Sequence, residues 1–123
     1  MANILIADDE ELVRAFLKRV IEGMGHTVFL ASNGVSALEL FQQHPIDLSI
    51  VDIRMPEMDG LTFLHKAKEW KKDAVVIMVT GYPSAETITE TVEEEAYTYI
   101  TKPLDPNQII ALIQRGLSTP ADR

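Results

Sequence analysis

Five short apolar runs recur along the chain, and after each one apolar residues return at helical spacing. The first run, Asn3-Ile4-Leu5-Ile6-Ala7, is continuous rather than alternating, which predicts a strand buried on both faces. Leu12, Val13, Phe16, Leu17, Val20, Ile21 and Met24 then recur in steps of one and three. That spacing predicts a helix with a wide apolar stripe, and Gly23 and Gly25 punctuate its end. A second strand is predicted over residues 26–31, nearer a sheet edge because its pattern is mixed. Asn33 suits the N-cap of a helix carrying Val35, Leu38, Leu40 and Phe41, which Pro45 stops. Residues 46–51 predict a third strand ending at Asp52. Residues 60–70 predict a helix with Leu61, Leu64, Ala67 and Trp70 on its buried side.

Residues 74–79 are wholly apolar and predict a central fourth strand. The helix expected over residues 85–95 is the weakest element, with a thin stripe of Ile88 and Val92. Thr87, Thr89 and Thr91 lower its propensity, and Glu93, Glu94 and Glu95 crowd the end where the helix dipole disfavours anions. A fifth strand over residues 97–101 is ended by Lys102-Pro103. The last helix, over residues 105–116, opens with Pro106 at its first position and is lined by Ile109, Ile110, Leu112 and Ile113. Strand and helix thus alternate five times, which predicts an α/β fold: a parallel sheet with helices on both faces and right-handed crossovers. Ligand sites in such sheets lie at the C-terminal ends of the strands. Asp8, Asp9, Asp52, Thr80 and Lys102 all fall at those ends.

Length and composition narrow the chemistry. The 123 residues suffice for one domain, expected over residues 1–118, with residues 119–123 as a polar tail or the start of a linker. Cysteine is absent, which excludes disulfides, thiolate catalysis and zinc-thiolate sites. No apolar run approaches the roughly 20 residues of a bilayer span. The opening Met1-Ala2-Asn3-Ile4 has no basic flank, so a cytoplasmic address and no membrane partner are expected. A net charge of −8 argues against direct nucleic-acid binding, which rests on clustered Lys and Arg.

An acid at the end of a buried strand loses hydration unless something pairs with it. Like charges ~4 Å apart cost on the order of 4 kcal/mol at an effective dielectric of 20. Asp8, Asp9 and Asp52 brought to one edge would therefore favour a divalent cation. With no His or Cys in these loops, Mg²⁺ suits the oxygen-only donors. Lys102 adds a cation and Thr80 a hydroxyl donor, completing a set suited to phosphoryl transfer onto Asp52. Plainer readings stand beside these. Asp8-Asp9-Glu10-Glu11 could only cap a helix, Thr80 could cap a turn, and Tyr99 could simply fill a strand. Asp59 reads as a turn residue before Gly60, and Met55 and Met58 as packing. His26, His44 and His65 share no ligand spacing and are expected at the surface.

Taken in order, Asp8-Asp9, Asp52 with Met55-Pro56 and Asp59-Gly60, Thr80-Gly81 and Lys102-Pro103 resemble the receiver domain of two-component response regulators, including the chemotaxis regulator. Ala31-Ser32-Asn33-Gly34 with Ala37-Leu38 is similar to that family's second loop and helix. The resemblance implies a five-stranded parallel sheet in the order 2-1-3-4-5, the flavodoxin-like receiver fold. It implies Asp52 as phosphoacceptor from a sensor histidine kinase or phosphotransfer protein. Mg²⁺ would be held by Asp9, Asp52 and the backbone carbonyl of Arg54, with Asp8 acting mainly through water. Thr80 and Lys102 would contact the phosphoryl group, the Lys102-Pro103 bond would be cis, and Thr80 and Tyr99 would form the switch.

The same resemblance implies an output surface made by the 85–95 helix, the fifth strand and the last helix. That surface would serve a downstream output domain or effector, with a phosphorylation-dependent dimer as one outcome. Two departures from the family pattern, Glu95 and Thr98, fall on it. Arg54 and Tyr82, two residues beyond Asp52 and Thr80, would flank and shield the phosphoryl group. Such a domain is a phosphoacceptor that assists its own phosphorylation and dephosphorylation, rather than an enzyme acting on a separate substrate. The alternative within the same fold is a pseudo-receiver acting by constitutive contacts. A flavin domain would meet repulsion from Asp8-Asp9-Glu10-Glu11. An aspartate-nucleophile phosphatase would want an acid at Arg54.

Overall fold

The computed structural model describes residues 1–81 and 96–118. Its elements are β1 (Asn3–Ala7), α1 (Glu11–Gly23), β2 (Thr27–Ala31), α2 (Gly34–Gln43), β3 (Leu48–Asp52), α3 (Gly60–Trp70), β4 (Val76–Thr80), β5 (Thr98–Thr101) and α4 (Pro106–Leu117). All strand pairings are parallel, in the order β2-β1-β3-β4-β5. The helix expected over residues 85–95 lies outside the described residues, as does the tail at 119–123. No helix among the described residues is long and apolar enough to cross a membrane.

The continuous apolar runs form the middle of the sheet. β3 and β4 are buried throughout, and β1 is buried after Asn3. The more mixed β2 is an edge strand, exposed at Thr27 and Leu30. Alternate strand residues feed two cores. Leu5, Ala7, Val51, Val76 and Met78 pack with Phe41 of α2 and Phe63, Leu64 and Ala67 of α3. Ile4, Ile6, Leu48, Ile50, Ile77 and Val79 pack with Leu17 and Ile21 of α1 and Ile109 and Ile113 of α4. The chain leaves β1 for β2 on one side and β3 on the other. That reversal opens a crevice at the C-terminal ends of β1 and β3.

Helix starts are set by side-chain caps. Asn33, Asp59 and Asp105 accept from the backbone N–H groups of Ser36 (2.8 Å), Thr62 (2.8 Å) and Asn107 (3.1 Å). Two stripe residues are corrected. Leu12 is 84% exposed, because at about 100° per residue it lies roughly 140° around the helix from Leu17. Trp70 is 61% exposed, being the last residue of α3 and overhanging the packed interior. Two of the histidines are not simply at the surface. Half-buried His26 accepts the Ala2 N–H on Nδ1 at 3.0 Å, and half-buried His44 lies against Phe29 with ring centroids 4.6 Å apart.

Gly60 ties α3 to the end of β3. Its N–H donates to the Ile53 carbonyl at 2.8 Å, and a Cβ there would come within 2.3 Å of the Asp52 carbonyl oxygen. Only glycine lets the helix start against that backbone. Gly60→Ala is expected to lower stability by about 1–3 kcal/mol through overpacking. The urea unfolding midpoint measures it, and an unchanged midpoint would contradict this close approach.

Candidate functional site

Asp52, the last residue of β3, is 5% exposed and Asp8, just after β1, is 2% exposed. The Asp52 Oδ1 accepts the Arg54 N–H at 3.1 Å, and its Oδ2 accepts from the Lys102 Nζ at 3.1 Å. Asp8 is fixed from several sides. Its N–H donates to the Ala31 carbonyl at 3.1 Å, its Oδ1 accepts the Glu10 N–H at 2.8 Å, and its carbonyl accepts from the Arg14 Nη1 at 2.8 Å. Lys102 Nζ also lies 3.3 Å from the Asp8 Oδ2 and 2.5 Å from the Glu10 Oε1. The Lys102 N–H donates to the Thr80 carbonyl at 2.8 Å, and the Lys102–Pro103 bond is cis. These bonds connect the ends of β1, β3, β4 and β5.

Thr80 ends β4 rather than following it and is buried beside Asp52 in the sheet, whose own register partner is Val79. Asp9 is exposed, and its carboxylate completes a group with Asp8, Glu10 and Asp52 whose oxygens lie within 4.8 Å of one another. An open groove of about 530 Å³, lined by Asp9, Ile53, Arg54, Met55, Pro56 and Asp59, leads to this edge. Tyr99 of β5 is half-buried against the core on the α2 and α3 face, opposite Met78 in register. Tyr82 lies outside the described residues.

Glu10 was missed as a site residue. It occupies the N-cap position of α1, yet its side chain caps nothing there and crosses to Lys102 instead. The run of four acids was a usable signal, since a helix start needs few of them.

Three carboxylates, those of Asp8, Glu10 and Asp52, meet the Lys102 ammonium, and Asp9 lies close to all three acids. Burial raises Asp8 from the ordinary 3.8 to about 6; the neighbouring Asp52 charge adds to this, while the Glu10 N–H and Lys102 work against it. Burial alone would lower Lys102, but the hydrogen bonds it donates to Glu10 and Asp52 and the charges of Asp52 and Asp8 hold it above the usual lysine range. The folded chain thus binds the Asp8 proton more tightly than the unfolded chain. Asp8's contribution to stability is present below 3.8 and lost as pH rises through about 6. A hard divalent cation fits this oxygen-only donor set and would relieve the crowding.

The family profile for the response regulator receiver domain matches residues 4–114, and the chain belongs to that family. It is 38% identical over 115 residues to the regulatory protein AtoC of Escherichia coli K12, covering 94% of this chain and 25% of that protein. It is 33% identical to sporulation initiation phosphotransferase F of Bacillus subtilis, covering 94% of this chain and 93% of that one. The fold superposes on a CheX–CheY–BeF3–Mg complex from Borrelia burgdorferi with a TM-score of 0.90 and 29% identity, covering 96% of this chain and 90% of that one. The chain spans about a quarter of the length of the curated relatives it matches first. It is a receiver domain of the two-component response-regulator type, with the five-stranded flavodoxin-like sheet expected for it.

Because an ionised Asp8 adds negative charge beside the cation's ligands, divalent-cation binding should compete with Asp8 protonation. Apparent Mg²⁺ affinity is expected to fall as pH drops below about 6, by up to about tenfold per unit. Calorimetric titrations across that range measure it, and a flat profile would contradict Asp8's place in the site.

Proposed function

We propose that this domain is a phosphorylation-controlled signalling module in which Asp52 accepts a phosphoryl group from a partner histidine kinase or phosphotransfer protein. The observation that carries this reading is the placement of Asp52. It is a buried carboxylate held by Lys102 at 3.1 Å and by the Arg54 N–H, among further acids. A relative named as a phosphotransferase and a structural neighbour containing BeF3 and Mg support it.

In this reading a carboxylate oxygen of Asp52 attacks phosphorus and forms a P–O bond. The P–N bond to the donor imidazole breaks, and the imidazole leaves with the electron pair. Asp9, Asp52 and the Arg54 carbonyl would hold Mg²⁺, with Asp8 acting through water. When bound, the cation neutralises charge on the phosphoryl oxygens. Lys102 supplies a further positive charge, and its fixed approach to Asp52 orients the acceptor before transfer. Thr80, at the neighbouring strand end, offers a hydroxyl donor to the transferred group. By their sequence positions two residues beyond Asp52 and Thr80, Arg54 and Tyr82 would flank the path of attacking water, so Tyr82→Ala should shorten the lifetime of the phosphorylated form.

The switch is the Thr80–Tyr99 pair. Phosphorylation adds charge and acceptor oxygens at Asp52, drawing Thr80 and letting Tyr99 turn inward. The output surface that the resemblance implies, which includes β5 and α4, would then change its affinity for an output domain, an effector or a second copy of the chain. In this reading the receiver unit is residues 1–118, with 119–123 as a polar tail or the start of a linker. A constitutive pseudo-receiver would not need the acid–Thr–Lys set.

Intact mass after incubation with a small phosphodonor, with and without Mg²⁺, tests the reading. One phosphate adduct is expected, requiring both Mg²⁺ and Asp52 and absent in Asp52→Asn. No adduct in the natural protein, or one that persists in Asp52→Asn, would overturn it.

A further inference from the structure

Lys102 has three N–H donors and meets three carboxylates: Glu10 at 2.5 Å, Asp52 at 3.1 Å and Asp8 at 3.3 Å. A phosphoryl oxygen arriving on Asp52 can take a donor only if one of the three retreats. Asp52 carries the incoming group. Asp8 is buried and anchored through the Glu10 N–H, the Ala31 carbonyl and Arg14. The Glu10 side chain is 59% exposed and, among the described residues, its carboxylate hydrogen-bonds to Lys102 alone, so it can swing into water at little cost. The backbone of Glu10, by contrast, is pinned by Asp8 and by the start of α1, where its carbonyl accepts the Arg14 N–H at 3.1 Å. The pivot is therefore fixed and only the side chain moves.

We infer that Glu10 is a positioning residue that occupies Lys102 in the resting protein and must be displaced by the phosphoryl group. This rests on the proposed function, since it concerns the same ammonium. It makes Glu10 a tuning position: its carboxylate parks Lys102 over Asp52 before transfer and competes with the product afterwards. The two effects oppose one another, so occupancy of the modified state depends on the charge at residue 10.

The test uses beryllium fluoride with Mg²⁺, an unreactive stand-in for the phosphoryl group, titrated by fluorine NMR. Four proteins are compared: the natural chain, Glu10→Gln, Lys102→Ala and the double variant. Glu10→Gln is expected to bind beryllium fluoride roughly two- to fivefold more tightly, the scale of a partly exposed ion pair. In the Lys102→Ala background the same substitution should have no effect, because the competition acts through that ammonium. Unchanged or weaker binding by Glu10→Gln would overturn the inference while leaving the acceptor role of Asp52 intact. So would an equal gain in both backgrounds, which would make the effect general repulsion. If the natural chain shows no Mg²⁺-dependent binding at all, the acceptor reading fails and this inference falls with it.

Discussion

The Lys102 ammonium stands among the carboxylates of Asp8, Glu10 and Asp52, and the charge balance at the sheet edge depends on it. It is a long side chain from the loop after β5 reaching to the ends of β1 and β3. Its backbone is tied to Thr80 at the end of β4, so the same residue also fixes the relative placement of the strand ends. The four clustered acids outnumber the ammonium that pairs with them, and burial, with the Asp52 charge adding to it, raises the titration of Asp8. Natural proteins accept such local cost where a site needs it.

The fold makes that concentration of charge possible. Buried on both faces, β1, β3 and β4 deliver Asp8, Asp52 and Thr80 with little freedom, because each is held in a parallel ladder up to its last residue or next to it. The crevice between β1 and β3 follows from the topological reversal, and both buried acids flank it. Gly60 then closes the far side, bringing α3 against the Asp52 carbonyl where any larger residue would collide. Rigidity at the strand ends and exposure at Asp9 and Glu10 divide the labour: fixed groups define the position, and solvent-facing groups can respond.

Much of this was legible in the sequence because both signals are local. Continuous apolar runs named the central strands, and the polar residues that interrupt them named the edge where Asp8, Asp52, Thr80 and Lys102 meet. Asn33 was readable as a cap. What was not legible depends on angles and distances the pattern does not carry. Leu12 belongs to an apolar stripe by spacing but faces water, since a one-and-three pattern spreads wider than the face the sheet can cover. Glu10 looked like one more acid at a helix start. Its bond to Lys102 spans 92 positions in sequence, and no local rule reports such a contact.

If crowded charge at this edge is what prepares it for a cation, neutralising its most buried acid should relieve the metal-free protein. The measurement is urea unfolding of the natural chain and Asp8→Asn, in a chelator and in Mg²⁺, at a pH well above the Asp8 titration near 6. Asp8→Asn is expected to be more stable in chelator, by on the order of 1–3 kcal/mol, and to lose that advantage in Mg²⁺. An Asp8→Asn protein that is less stable than the natural chain in chelator would show that the carboxylates hold the edge together, and would contradict the account.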